Sequence, residues 1–176
     1  INMYEREELD FSEVKTFNLD EYYKIKPDNS NSYYYYMKNN LFDHINIKPE
    51  NFYLLDGTTN DVDRECRQYE EKIDKNGGID LQVLGIGPNG HIGFNEPGEK
   101  LQVNTHLVEL TEETINANSR FFESREEVPR KALTMGIATI LRSNRIILLA
   151  NGEKKAEAIK KTVSGYINTE VPSSLL

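Results

Sequence analysis

Apolar and polar residues follow two different periods along this chain. Val14 to Asn18, Phe52 to Leu54, Ile79 to Gly85, Lys131 to Met135 and Arg145 to Ala150 are short runs rich in β-branched and aliphatic side chains, and they read as strands. Between them, apolar positions recur every three or four residues, which is the spacing of one helix face. The clearest stripe is Val62, Cys66, Tyr69 and Ile73. Asn60 or Asp61 stands where a helix cap belongs, and Asn76-Gly77-Gly78 ends the stripe with residues suited to a left-handed turn. Further helices are expected from about Ser32 to His44, after Thr111-Glu112-Glu113, and from Glu153 to about Val163, with Leu107 to Leu110 extended. Strands and helices alternate without an internal repeat or a low-complexity linker, which predicts an α/β fold. The expected form is a Rossmann-like, open, mostly parallel sheet with helices on both faces, with Ile79 to Gly85 as a buried strand.

In such sheets ligands gather beyond the carboxyl ends of the strands, where helix N-termini point their free N–H groups. Three segments with chemistry fall there: Asn18-Leu19-Asp20-Glu21, the loop Gly85-Ile86-Gly87-Pro88-Asn89-Gly90-His91, and Asn151-Gly152-Glu153-Lys154-Lys155. Each also has a structural reading. Asp20 can cap a turn, Lys154 and Lys155 can be a solvated helix face, and His91 can be a satisfied polar residue in a tight loop. The glycine spacing does not match a dinucleotide fingerprint, and the loop lacks the Lys-Ser/Thr ending of a P-loop. His91 and Glu96 are too few ligands for a typical divalent metal site. What remains is a loop whose backbone comes close to a ligand while an imidazole moves a proton near neutral pH.

Composition narrows the partners. The chain has 176 residues, enough for one domain with a real core, and a formal charge of -8. No basic stripe is available to neutralise a phosphate backbone or an anionic membrane, so neither nucleic acid nor membrane is the expected partner. No apolar run approaches the length of a bilayer span, and a cytoplasmic location is expected. Cys66 is the single cysteine, which excludes an internal disulfide. Its place in the helical stripe reads as core packing. A small soluble ligand is the expected partner, and no cofactor is implied.

The run Gly85 to Gly98, with His91, Phe94-Asn95-Glu96-Pro97 and five of the 11 glycines, closely resembles a signature of the glucosamine-6-phosphate deaminase family. Thr16-Phe17-Asn18-Leu19-Asp20-Glu21-Tyr22 resembles that family's other signature. Ser32-Tyr33, Leu41-Phe42-Asp43-His44, Glu65 to Glu70, Asn118 to Phe122 and Lys131 to Thr134 are similar to family sequence in the same order, so the resemblance covers essentially the whole chain.

The resemblance implies an enzyme of amino-sugar catabolism, a deaminase and isomerase classed as a hydrolase, that converts glucosamine 6-phosphate to fructose 6-phosphate and ammonia. Asp20 matches the base that takes the C2 proton and returns it to C1. His91 matches the group that shuttles protons during ring opening, with Glu96 stabilising its cationic form. Asn89 replaces the aspartate of the best-known motif and is expected to orient a ring N–H of His91 without adding charge. Arg120 and Lys155 match the phosphate ligands, Arg120 on a segment that acts as a lid, and Lys154 is the alternative to Lys155. The nearest rival is a 6-phosphogluconolactonase, whose loop is similar, and a second is a non-catalytic sugar-phosphate sensor. A homo-oligomer is an open expectation. In the region where some members bind the activator N-acetylglucosamine 6-phosphate, this chain has Glu99, Lys100, His106 and Val108, and an acid and an aliphatic residue there offer a phosphate little. The family's opening strand with its phosphate loop, and its C-terminal segment, have no counterpart in residues 1–176.

Overall fold

The computed structural model describes all of residues 1–176. A short helix α1 (Asn2–Glu5) precedes β1 (Thr16–Phe17), β2 (Asp20–Tyr22), α2 (Tyr33–Asn40), β3 (Phe52–Tyr53), α3 (Val62–Lys75) and β4 (Leu81–Gly85). The second half holds β5 (His106–Glu109), α4 (Glu112–Asn118), β6 (Lys131–Thr134), α5 (Ile137–Leu141), β7 (Arg145–Leu149) and α6 (Ala156–Thr162).

The helical stripe folds as its residues dictate. Asp61 caps α3 by accepting the Arg64 N–H at 3.0 Å, and Cys66, Tyr69 and Ile73 are buried. At the other end the Gly78 N–H reaches the Ile73 carbonyl and the Gly77 N–H that of Asp74, each at 3.0 Å, with both glycines at φ +87°. This closes the last turn through a left-handed step that a side chain would strain. The buried face of α3 packs with Leu84, Leu133, Met135 and Ile140. Its Tyr69 hydroxyl donates to the Asn18 carbonyl at 2.7 Å, which pins the chain two residues before Asp20.

The fold is mixed α/β, with its strands in three small sheets. Two are parallel pairs, β1 with β3 and β4 with β7. The third is antiparallel, in the order β2-β6-β5. The expected single, mostly parallel sheet is therefore met only in the two parallel pairs. Asp20 to Tyr22, read from sequence as a loop after a strand, is itself a strand, because its backbone finds partners on β6 in the register Asp20 to Thr134 and Tyr22 to Ala132.

A second correction concerns β4. Its side chains alternate, with Gln82 and Leu84 buried while Leu81 and Val83 are 50% and 51% exposed. On its partner β7, Ile147 and Leu149 are exposed on the same face. The strand is thus buried on one face and open on the other. The expected C-terminal helix begins as a 3-10 turn, Glu153–Lys155, before α6.

Candidate active site

A single cavity of about 260 Å³ is lined by Asp20, His91, Arg120 and Lys155, residues drawn from four separate stretches of sequence. Tyr33, Thr114 and Phe94 also line it. Asn89 and Glu96 stand behind His91 rather than in the wall.

Asp20 owes its direction to its neighbour. The Glu21 carboxylate is buried and accepts the N–H groups of Tyr22 at 2.8 Å, Tyr33 at 3.0 Å and Tyr34 at 2.9 Å. Two of these are free donors in the first turn of α2, and Ser32 caps a third by accepting the Tyr35 N–H. Adjacent residues on a strand face opposite sides, so fixing Glu21 under α2 turns Asp20 to the cavity. Burial, and after it the charge of Glu21, push the Asp20 carboxyl from 3.8 up to about 7.

The glycine loop seats the imidazole. The Gly87 N–H bonds the His91 carbonyl at 2.9 Å, and Gly90 turns the chain at φ +88°. A Cβ on Gly87 would fall 2.4 Å from two ring atoms of His91, so only glycine leaves room for the ring. Beyond the ring, the Phe94 N–H donates to Thr134 Oγ1 at 3.1 Å, and the Asn95 amide donates to the Met135 carbonyl at 2.8 Å. Thr134 is also the register partner of Asp20, so β6 fixes the acid and the histidine loop to one element.

Behind the ring lies a network. Glu96 Oε2 is 3.2 Å from His91 Nδ1, at ion-pair distance but outside hydrogen-bond alignment, and that nitrogen is buried with no other partner. Such contacts commonly tighten when substrate binds. The same Oε2 accepts from the Asn89 amide at 3.1 Å, while Oε1 accepts from the Thr114 hydroxyl and lies 3.3 Å from that of Thr111. Burial alone would push Glu96 up, but the His91 ring, Thr114 and Asn89 outweigh it and hold the carboxyl at about 2. Asn89 differs from expectation here. Its Oδ1 accepts the main-chain N–H of His91 at 3.2 Å, not a ring N–H, because the tight turn brings a side chain onto the backbone two residues ahead.

The two cations sit close together. Lys155 is pushed below its ordinary value by burial and then by the charge of Arg120, against an opposing contribution from Glu113. Lys155 lines the cavity, whereas Lys154 is exposed and does not. Arg120 is exposed and lies over the Phe121 ring at 4.6 Å. Sequence reasoning did not single out Thr111, Thr114 or Tyr33 as site residues. Thr111-Glu112-Glu113 reads as a helix start, which it is, and nothing in that pattern points to a partner 15 residues earlier.

Residues 2–176 match the family model of glucosamine-6-phosphate isomerases/6-phosphogluconolactonase. The chain belongs to this family. Within it, the chain is 65% identical over 174 residues to a glucosamine-6-phosphate deaminase from Halothermothrix orenii, covering 99% of this chain and 72% of that protein. A solved structure described as a monomeric glucosamine-6-phosphate deaminase superposes with a TM-score of 0.95 at 48% identity, covering 98% of this chain and 72% of its own. A 6-phosphogluconolactonase from Thermotoga maritima reaches a TM-score of 0.72 at 18% identity, covering 96% of this chain and 70% of its own, a likeness of fold alone.

Two expectations change accordingly. The hydrolase class is corrected, since the close relative is named a deaminase and the lactone-hydrolysing neighbour shares only the fold. A homo-oligomer finds no support, because the similar solved deaminase is described as monomeric. No helix is long and apolar enough to cross a membrane.

Proposed function

We propose that this protein is a glucosamine-6-phosphate deaminase, which opens the sugar ring, isomerises the aldose and releases ammonia to leave fructose 6-phosphate. The observation that carries the reading is the convergence of one carboxylate, one imidazole and two cations on a single cavity. Arg120 and Lys155 hold the substrate phosphate, the arginine through its fork of donors and the lysine as a point charge. Their proximity is unfavourable without an anion, which makes the pair a good receptor for one. His91 moves protons between the C1 hydroxyl and the ring oxygen, with Glu96 stabilising the imidazolium and Asn89 holding the turn. Once the chain is open, Asp20 removes the C2 proton and returns it to C1, which leaves an iminium at C2. A water molecule adds there, its oxygen becomes the ketone oxygen, and the nitrogen departs as ammonia. A carboxyl pushed up to about 7 suits this task, since a base works best near the operating pH. Tyr33, also in the wall, gives this end of the cavity an aromatic surface.

The domain reading extends the proposal. A parallel sheet is normally covered on both faces, yet Leu81, Val83, Ile147 and Leu149 are exposed on β4 and β7. A strand and helix outside residues 1–176 would cover this surface and join the parallel pairs into one Rossmann-like sheet. The deciding experiment measures ammonia released from glucosamine 6-phosphate beside acid released from 6-phosphogluconolactone, using full-length protein. Ammonia alone supports the deaminase, and acid alone overturns it in favour of the lactonase.

A further inference from the structure

The carboxylate behind His91 is held from a second element as well as from its own loop. Glu96 Oε1 accepts from the Thr114 hydroxyl, and the Thr111 hydroxyl, which caps α4 by accepting the Thr114 N–H at 3.2 Å, lies 3.3 Å from the same oxygen. Thr114 and Ile115 are the buried residues of α4, while Glu112, Glu113, Asn116 and Ala117 are exposed. Outward-facing Glu112 pairs with Arg125 and Arg130, away from the cavity. So the polar hold on the inner side of this helix falls on Glu96. The helix continues without a break into the 3-10 turn Ser119–Phe121, where the Ser119 N–H still bonds the Ile115 carbonyl, and that turn carries Arg120. A few residues of continuous helical backbone therefore connect Arg120 to the carboxylate that faces the His91 ring.

We propose that Thr114 is a positioning residue that latches α4 to the Glu96–His91 pair, so that phosphate capture through Arg120 and alignment of the imidazole are one coupled event. The proposal rests on the deaminase reading for the identity of the substrate, but the coupling is a property of the network itself. Thr114 does not transfer a proton to substrate. It sets where Glu96 stands, and Glu96 sets how His91 presents its ring. An anion drawn onto Arg120 pulls on the same short helix, and the Thr114 hydroxyl carries that pull to Glu96. Without the hydroxyl the two ends of the site act independently.

The test uses full-length protein with Thr114→Val, which keeps the shape and removes the hydroxyl, and Thr114→Ser, which keeps the hydroxyl. Thr114→Ala serves in place of valine if the valine variant does not fold. Steady-state ammonia release should show kcat lower by about tenfold in the valine variant, the size expected for one hydrogen bond to a charged acceptor, with most of the rate restored in the serine variant. Independently of activity, titration with inorganic phosphate is followed through the His91 ring resonances by NMR. The parent and the serine variant should show a phosphate-dependent shift, and the valine variant should lose at least half of it. An unchanged His91 shift in the valine variant overturns the proposal whatever the rate does. Should the parent release no ammonia, the deaminase reading fails, and the phosphate-dependent shift still decides the latch.

Discussion

Asp20 and Glu96 are carboxylates beside one cavity, and the protein drives them in opposite directions. Asp20 sits at the wall with burial and the neighbouring charge of Glu21 acting on it, and it rises to about 7. Glu96 is buried too, but an imidazole, a hydroxyl and an amide surround it, and it falls to about 2. Burial is common to both, so the neighbours make the difference: the His91 ring, the Thr114 hydroxyl and the Asn89 amide lower Glu96, whereas the charge of Glu21 raises Asp20. The lesson is a division of labour: the group whose charge is costly becomes the base that exchanges a proton, and the group whose charge is satisfied becomes a fixed electrostatic partner.

The largest effect should come from breaking the first half of this comparison. Asp20→Asn keeps shape and polarity but accepts no proton, so turnover should fall by at least about 10², while binding of fructose 6-phosphate, followed by calorimetry, survives. On the other side, Glu96→Gln keeps the amide-sized shape and removes the charge facing His91. We expect a loss of about 10 to 10² in kcat, measured in the same ammonia assay, and a result equal to the parent would show that Glu96 only fills space. Gly87→Ala should cost a comparable amount without removing any titrating group, because its Cβ would displace the His91 ring.

Acidity provides a finer cut. If Asp20 works as the base, kcat/KM should rise with pH through about 7, the value to which it is pushed. Stability runs the other way. A raised carboxyl keeps its proton in the folded state between about pH 4 and 7 while the unfolded chain releases it, so the contribution is intact below that window and lost as pH rises through it. Asp20→Asn should consequently melt roughly 3 °C or more above the parent at pH 8, with the gap closing towards pH 4 in thermal scans. The smallest expected effect is none: N-acetylglucosamine 6-phosphate should leave hyperbolic kinetics unchanged. Glu99 and Val108, an acid and an aliphatic side chain, offer an anion little, and the His106 ring Nδ1 is already engaged with the Asn104 carbonyl at 2.9 Å. Sigmoidal rates that straighten on adding it would reject this reading.

Much of this arrangement is legible in the chain because its signals are local. The cap, stripe and glycine stop of α3 lie within 18 residues and fold as they read. Of the residues matched to the family, Asp20, His91, Arg120 and Lys155 line one cavity, and Asn89 and Glu96 lie behind it. What could not be read is non-local. Asp20 to Tyr22 has poor strand propensity and becomes a strand only because β6, more than 100 residues later, supplies its partners. The open face of β4 is invisible in Leu-Gln-Val-Leu-Gly, since alternation marks two faces without saying which neighbour covers each. Ile137 to Leu141 is too short an apolar run to separate helix from strand. The threonine contacts to Glu96 depend on α4 folding back over the loop, a consequence of the whole fold.

The central claim is that Asp20 moves a proton from C2 to C1 of an open-chain amino sugar held in this cavity. The most direct test incubates full-length protein with glucosamine 6-phosphate in deuterated water and reads both ammonia and the NMR spectrum of the sugar, for the parent and for Asp20→Asn. Because the protonated Asp20 carboxyl exchanges with solvent between taking and returning the proton, the account predicts ammonia together with fructose 6-phosphate partly labelled with solvent deuterium at C1 from the parent, and both lower by at least about 10² in the variant. Deuterium incorporation that persists undiminished in Asp20→Asn would contradict it.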